Sequence, residues 1–199
     1  KKRTSAPCGP TWVFGYGSLI YKVDFPFLRR EAGSITGWQR RFWQGSHDHR
    51  GTPEAPGRVV TLLPARNRIC RGVAYLVNPG VFDHLDHREK NGYTRVPCSI
   101  TLDKHEQTVT GVVYVAAEHN EAYMGPMPIT DLAAYINASH GPSGSNSDYL
   151  LRLAERELLD RERRAAERRI RDACFPVLKT IDTFDFKAVD GVWLTLLDR

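Results

Sequence analysis

The order of hydrophobic and polar positions predicts strands in the first two thirds of the chain. Apolar and aromatic residues fill positions 12–20, a strand that runs into a glycine turn. Two further β-rich segments, 58–65 and 71–79, flank a short polar link and predict a hairpin. Segments 95–102 and 108–116 also alternate as strands do, the second with apolar side chains on both faces.

Helical spacing of apolar residues dominates the later part of the chain. A short helix is expected from residue 81 to just before Gly92, and a second helix begins near residue 129 with Thr130 as a candidate cap. A long helix with a mixed-charge face is expected over 147–173. The split apolar pattern of 180–199 predicts a terminal hairpin.

Because the strands come first and do not alternate regularly with helices, the pattern favours a mixed or antiparallel α+β domain over a doubly wound parallel sheet. The length of 199 residues, with 41% apolar and 26% charged residues, agrees with one main globular domain. No apolar run approaches the roughly 20 residues of a membrane span, and no signal peptide is recognisable. Scattered cysteines without a CxxC pair favour reduced thiols in a cytosol. They are Cys8, Cys70, Cys98 and Cys174.

The stretch VFGYGSLIYK, residues 13–22, places two glycines and a serine inside a hydrophobic strand. Glycine weakens a strand, and its usual reason there is a close approach to the backbone. The amides of Gly17, Ser18 and Leu19 can form a concave site for a carboxylate. A simple β-bulge explains the glycines equally well at this stage. Nucleotide binding is not favoured, because neither GxxxxGK[ST] nor GxGxxG occurs.

The stretch DHLDHREKNGY, residues 83–93, concentrates acidic, basic and imidazole side chains at the end of the first predicted helix. A carboxylate there can act as a general base if burial raises its pKa, and Glu89 is our candidate. A metal site is the alternative, because His84 and His87 are three residues apart and His47 and His49 flank Asp48. Neither pair has the HExxH spacing, and exposed histidines are commoner than ligands.

The net charge of +5 suits either nucleic acid or a small substrate with carboxylates. Four arginines, which are Arg40, Arg41, Arg50 and Arg58, surround aromatic residues and turn glycines. Cations beside aromatic rings can bind single-stranded nucleic acid. The chain has no recognisable nucleic-acid-binding motif, so a cleft for a small diacid is favoured.

Five ordered motifs carry a resemblance to a known family. They are VFGYGSLIYKVDFPF, RRFWQGSHDHRGTPEAPGRVVTL, GVAYLV, DHREKNGY and GPSGSNSDYL. Over residues 12–161 the chain resembles the ChaC family of glutathione-specific gamma-glutamylcyclotransferases. The resemblance implies cytosolic conversion of glutathione to 5-oxoproline and cysteinylglycine without metal or cofactor. It also implies a small mixed β-barrel flanked by helices.

The resemblance further implies that Glu89 is the catalytic acid/base and that the glycine turn holds the gamma-glutamyl group of the substrate. The turn comprises Gly15, Tyr16, Gly17, Ser18, Leu19 and Ile20. Tyr93 and Tyr149 are expected in the pocket. Among the arginines near the cleft, which suit the glycine carboxylate of glutathione, we choose Arg50.

We expect a catalytic domain over residues 10–161 and a divergent helix and hairpin, residues 162–199, packed on the same domain. Glutathione is the expected partner, with no nucleic acid and no membrane, and the oligomeric state stays open. Two alternatives remain. The same chemistry can act on other gamma-glutamyl amines or amino acids, or the pocket can bind a gamma-glutamyl compound without catalysis.

Overall fold

The structure, a computed structural model, describes residues 8–104 and 106–172. Its centre is a closed barrel of five strands in the order β1-β3-β2-β4-β5. The strands are β1 (Thr11–Gly15), β2 (Arg29–Ser46), β3 (Gly57–Val77), β4 (Tyr93–Leu102) and β5 (Gln107–Ala116). Strand β1 runs parallel to β5, while the other neighbouring pairs are antiparallel. The predicted mixed β-barrel of an α+β fold is confirmed.

The barrel closes around apolar side chains that the strands contribute in alternation. Val13, Ile100 and Val113 have no exposed surface, and Phe14 and Leu62 are 1% exposed. Burial of such side chains stabilises a fold by about 1.5–3 kcal/mol each. Strand β5 pairs back onto β1, which closes the barrel.

The hairpin predicted for 58–65 and 71–79 is wrong, because both segments belong to the single strand β3. The two segments do not pair with each other, and both pair with β2. The register shifts between them, from Thr36 opposite Ile69 to Trp38 opposite Pro64. The polar link between them forms an irregularity in the ladder, where Asn67 has a positive φ of 61°. Turn-like residues therefore mark a bulge here and do not reverse the chain.

The helices α1 (Val81–Arg88), α2 (Ile129–Ala138) and α3 (Asn146–Asp172) lie where the apolar spacing predicts them. A 3₁₀ helix (Ser18–Ile20) follows β1, where the sequence predicts a strand running into a turn. Two short strands, β6 (His140–Gly141) and β7 (Gly144–Ser145), pair between α2 and α3. The predicted cap at Thr130 is wrong: Pro128 precedes the first turn, and Thr130 lies inside it with its hydroxyl directed to Asp131.

The chain divides into two compact units after Glu157, and the barrel belongs to the first. The predicted domain boundary after residue 161 stays a prediction. The terminal hairpin, Cys174, the last predicted helical residue Ala173 and most of the segment 162–199 lie outside the described residues, as does the start of the chain before residue 8. The described cysteines, Cys8, Cys70 and Cys98, are free thiols. No described helix has the length and apolar character needed to cross a membrane.

Candidate active site

One cleft is lined by nearly all of the residues that the sequence proposes for a site. Its lining includes Gly15, Tyr16, Gly17, Ser18, Leu19, Arg50, Glu89, Tyr93 and Tyr149. Ile20 is the exception: it does not line the cleft and packs in the hydrophobic core. We call residues 15–19 with Arg88 and Glu89 the turn wall of this cleft, and residues 46–50 with 143–149 the loop wall.

The glycine turn is built by close packing around its backbone. Strand β1 ends at Gly15, earlier than the expected continuation to Ile20, and the chain turns into the 3₁₀ helix. A Cβ atom on Gly17 would lie 3.0 Å from Val60 Cγ2 and 3.3 Å from Tyr149 Oη. A side chain at Gly17 would therefore press on both neighbours. The absence of a side chain brings the backbone to the cleft surface.

The amides at the start of the 3₁₀ helix remain available to a ligand. Ile20 N donates to Gly17 O at 3.0 Å, and Tyr21 N donates to Ser18 O at 3.1 Å. The amides of Ser18 and Leu19 donate to no other residue in the described part of the chain. First-turn amides lack intrahelical acceptors, which makes them suitable donors to an anion.

A β-bulge opens the cleft wall at Val60. Arg41 pairs with Thr61 and Gln44 with Val59, so two residues of β2 face the single residue Val60. The bulge releases the peptide groups of Val60 from the ladder. Tyr93 Oη donates to Val60 O at 2.7 Å, and Val60 N donates to Tyr149 Oη at 3.4 Å. An irregularity of the sheet thus holds two tyrosines in the cleft.

Glu89 lies directly after α1, at the point where the helix ends. Its amide donates to Leu85 O at 2.9 Å, which retains the last helical turn while the side chain enters the cleft. The segment after Glu89 is held by Gln44, which is fully buried. Its Nε2 donates to Asn91 O at 2.9 Å. Asn91 Nδ2 in turn donates to Asp48 Oδ1 at 2.8 Å. The backbone on both sides of Glu89 is therefore fixed.

Burial raises the pKa of the Glu89 carboxyl above its usual value. The nearby Arg88 charge opposes this shift, and the negative charge of Asp24 adds to it. Apart from an ion pair with Arg88 Nε at 3.5 Å, the carboxylate has no hydrogen-bond partner within the described residues. A carboxyl with a raised pKa and free oxygens can both accept and return a proton.

Arg88 is a site residue that the sequence reasoning missed. Its Nη2 donates to Ser18 Oγ at 2.8 Å and its Nη1 binds Asp24 at 2.5 Å, so it joins α1 to the glycine turn. Although partial burial opposes ionisation, Arg88 and His84 hold the pKa of Asp24 below its usual value. The only sequence signal was the position of Arg88 beside the candidate base.

Charges on the loop wall are already paired. Arg50 Nη1 donates to Ser145 O at 3.1 Å and lies 3.5 Å from Asp148 Oδ2, while its guanidinium lies 5.6 Å from the ring centroid of Tyr149. His49 contacts Ser143 Oγ at 3.2 Å. This pairing shapes the wall and leaves Arg50 little uncompensated charge.

The other three candidate arginines do not line the cleft. Arg58 is 2% exposed and donates to the main-chain oxygens of Phe42 and Gly125 at 3.1 and 2.6 Å. Arg40 pairs with Glu157 at 3.1 Å, and Arg41 is exposed. Arg58 thus has a structural position, where main-chain oxygens satisfy a buried guanidinium.

One histidine of each pair that suggested a metal site lies beside an aspartate, and the two contacts are separate. His84 Nε2 is 3.3 Å from Asp24 Oδ1, and His49 Nε2 is 3.9 Å from Asp48 Oδ1. Among the described residues, no group of three or more His, Cys, Asp or Glu side chains is arranged to hold a metal ion.

Comparisons with known proteins show the family to which the chain is similar. The family model described as ChaC-like protein matches residues 11–172, which extends the recognisable similarity beyond residue 161. The chain is 45% identical over 155 residues to gamma-glutamylcyclotransferase 2-3 of Arabidopsis thaliana, covering 72% of this chain and 78% of that protein. It is 41% identical over 151 residues to glutathione-specific gamma-glutamylcyclotransferase 1 of Homo sapiens, covering 72% and 68%.

The fold has a similar solved counterpart. A crystal structure of the glutathione-specific gamma-glutamylcyclotransferase from yeast superimposes with a TM-score of 0.70 at 32% sequence identity. The similarity covers 75% of this chain and 87% of the yeast chain.

Proposed function

Because the chain belongs to the ChaC-like protein family, we propose that it is a gamma-glutamylcyclotransferase that cleaves reduced glutathione to 5-oxoproline and cysteinylglycine. One observation supports this most directly. The buried carboxyl of Glu89 lies in the same cleft as the glycine turn, so one pocket offers a proton acceptor and an anion-binding backbone.

The proposed reaction is an intramolecular acyl transfer. The α-amine nitrogen of the glutamyl group forms a bond to its own γ-carbon and closes a five-membered ring. The bond from the γ-carbon to the cysteinyl nitrogen breaks, and that nitrogen leaves with a proton. Since nucleophile and electrophile belong to one molecule, the substrate supplies much of the proximity. The enzyme has to fold the substrate, move the proton and stabilise the developing oxyanion.

We assign the proton transfers to Glu89. Its ionised carboxylate accepts a proton from the α-ammonium group, and the resulting acid protonates the leaving nitrogen. The regenerated carboxylate then transfers the second proton of the ring nitrogen to the departing amine, which leaves as an ammonium group. A raised pKa suits both steps, because a group that titrates near the working pH is an effective base and acid.

The glycine turn is our proposed site for the α-carboxylate, which is anionic throughout the reaction. The amides of Ser18 and Leu19 are its donors, and Arg88 holds Ser18 in place through Oγ. Ile20 then contributes by packing beneath the turn, since it lies in the core.

The glycine carboxylate at the far end of glutathione requires a positively charged partner. Arg50 lines the cleft, but Asp148 and Ser145 already occupy its Nη1. Lys22 also lines the cleft, is exposed, and forms no ion pair with a described residue. We therefore assign the distal carboxylate to Lys22 and a shaping role to Arg50.

The experiment is release of cysteinylglycine from reduced glutathione by purified protein, with Glu89→Gln as the matched variant. The Gln side chain keeps the shape of Glu89 but cannot transfer the proton. Loss of a general acid/base typically lowers turnover by about 100- to 10,000-fold. Full activity of the Gln variant would refute the role of Glu89.

The alternatives separate in the same assay. Faster cleavage of gamma-glutamyl-alanine than of glutathione would favour a broader gamma-glutamyl specificity. Unchanged glutathione after long incubation, together with measurable binding, would favour a non-catalytic module.

A further inference from the structure

The tyrosines around the cleft differ in what their hydroxyl groups bind. Tyr16 Oη donates to Tyr114 O at 2.8 Å, and Tyr93 Oη donates to Val60 O at 2.7 Å. Tyr114 Oη donates to Asp86 Oδ1 at 2.6 Å. A phenol has a single hydroxyl proton, and each of these three hydroxyls already donates it to a protein acceptor. None of the three can donate to a substrate without losing that bond.

Tyr149 is different, because its hydroxyl is an acceptor. Its Oη accepts the amide of Val60 at 3.4 Å, and no acceptor for its own proton occurs in the part of the chain that the structure describes. The residue is 4% exposed and lines the cleft. A buried donor without an acceptor is unfavourable, so such a proton points to a bound ligand as its partner.

The ring of Tyr149 is held from several sides. Phe42 and Tyr21 pack edge-on against it with centroid distances of 6.1 and 6.4 Å, and the Arg50 guanidinium lies 5.6 Å from its centroid. On the other side its hydroxyl lies near the backbone of Gly17, whose missing side chain leaves the space. Fixed donors stabilise developing charge best, since they need no reorganisation during the reaction.

We infer that Tyr149 is a catalytic residue that donates its hydroxyl proton in a hydrogen bond to the γ-carbonyl oxygen as negative charge develops there. This inference rests on the proposed function. Burial raises the pKa of Tyr149 above its usual value, so the hydroxyl keeps its proton throughout the neutral range. Glu89 moves the proton of the attacking amine while Tyr149 stabilises the oxyanion, which divides the two tasks between α1 and α3.

The test is Tyr149→Phe, assayed with reduced glutathione. Loss of one oxyanion donor lowers kcat by about 100- to 1,000-fold, and KM should change by less than about threefold because the bond forms mainly in the transition state. The position of the pH profile should not change, since Glu89 still determines it. Tyr135→Phe is the matched control. It removes a hydroxyl outside the cleft that donates to Pro56 O at a distance of 2.7 Å. We therefore expect wild-type turnover for this variant.

Incorporation of 3-fluorotyrosine in place of Tyr149 distinguishes a donor from a packing residue. This variant retains a hydroxyl, so its kcat should stay within about tenfold of wild type while the Phe variant falls much further. Equal losses in the two variants, or a Phe variant that is folded and within threefold of wild-type kcat, would overturn the inference. An inactive wild-type protein would instead refute the proposed function.

Discussion

The two walls of the cleft differ in how completely their charged side chains are paired. On the loop wall, Arg50 is compensated by Asp148 and Ser145, and Asp48 accepts a hydrogen bond from Asn91. On the turn wall, the one partner that the described residues give the Glu89 carboxylate is Arg88 at 3.5 Å, which opposes the cost of its burial. A paired charge is inert, whereas an incompletely compensated carboxyl titrates at higher pH. The comparison separates the wall whose carboxyl group is poised to titrate from the wall whose charged groups are paired.

Among the changes that test this comparison, Arg88→Met should have the largest effect on activity, because it removes the ion-pair partner of Glu89. We expect kcat/KM to fall by about 10- to 100-fold, because Ser18 also loses its anchor and misplacement of a bound substrate is costly. Glu89 must be ionised to act as a base, so activity rises with pH through its pKa. Since Arg88 lowers that pKa, the acidic limb of kcat/KM should move to higher pH in the variant. A pH series measures both effects.

Asp24→Asn is the control for Arg88→Met, because it should shift the acidic limb of the pH profile in the opposite direction. The Asp24 charge raises the pKa of Glu89, so its removal should move the acidic limb to lower pH. Limbs that move in the same direction in the two variants would contradict the electrostatic explanation.

The second prediction concerns substrate selection by Lys22. Wild-type protein should have a higher KM for the glycine ethyl ester of glutathione than for glutathione, by about three- to tenfold, the range expected of a partly exposed charge pair. Lys22→Met should raise KM for glutathione and remove this discrimination. The exposed Lys104, outside the cleft, provides the control Lys104→Met with wild-type discrimination. Retained discrimination in the Lys22 variant would show that another group binds the carboxylate.

The smallest effect is on stability, and its sign differs between the walls. Since the folded pKa of Glu89 lies above its usual 4.5, stability falls as pH rises through the range between the two values. Glu89→Gln should therefore raise Tm at pH 7 and have no effect below about pH 4. A change of 1 kcal/mol corresponds to about 2–4 °C for a chain of this size, so thermal unfolding detects such shifts.

Arg50→Met supplies the contrast for this stability measurement. It should lower Tm, because a charged hydrogen bond to Ser145 O and a contact with the Tyr149 ring are lost. Destabilisation by Glu89→Gln at pH 7 would mean that the ionised carboxylate is better compensated than its surroundings indicate.

Several elements follow from local patterns in the sequence. Helix α1 follows from apolar spacing at Val81, Phe82 and Leu85, which are all buried. Strands β4 and β5 follow from alternation. The candidate base and the glycine turn follow from motifs that resemble a family. The hairpin within β3 was predicted wrongly, because turn propensity cannot reveal that both of its halves pair with β2.

The sequence by itself determined the kinds of secondary structure, the family and the identity of the candidate base. Only the tertiary structure decided which groups surround that base. Arg88 reaches Ser18 across 70 positions and Val60 N reaches Tyr149 across 89, and no local pattern encodes such contacts. The pKa of a carboxyl and the availability of a hydroxyl proton depend on burial and on partners in space. Those properties appear only once the barrel has closed.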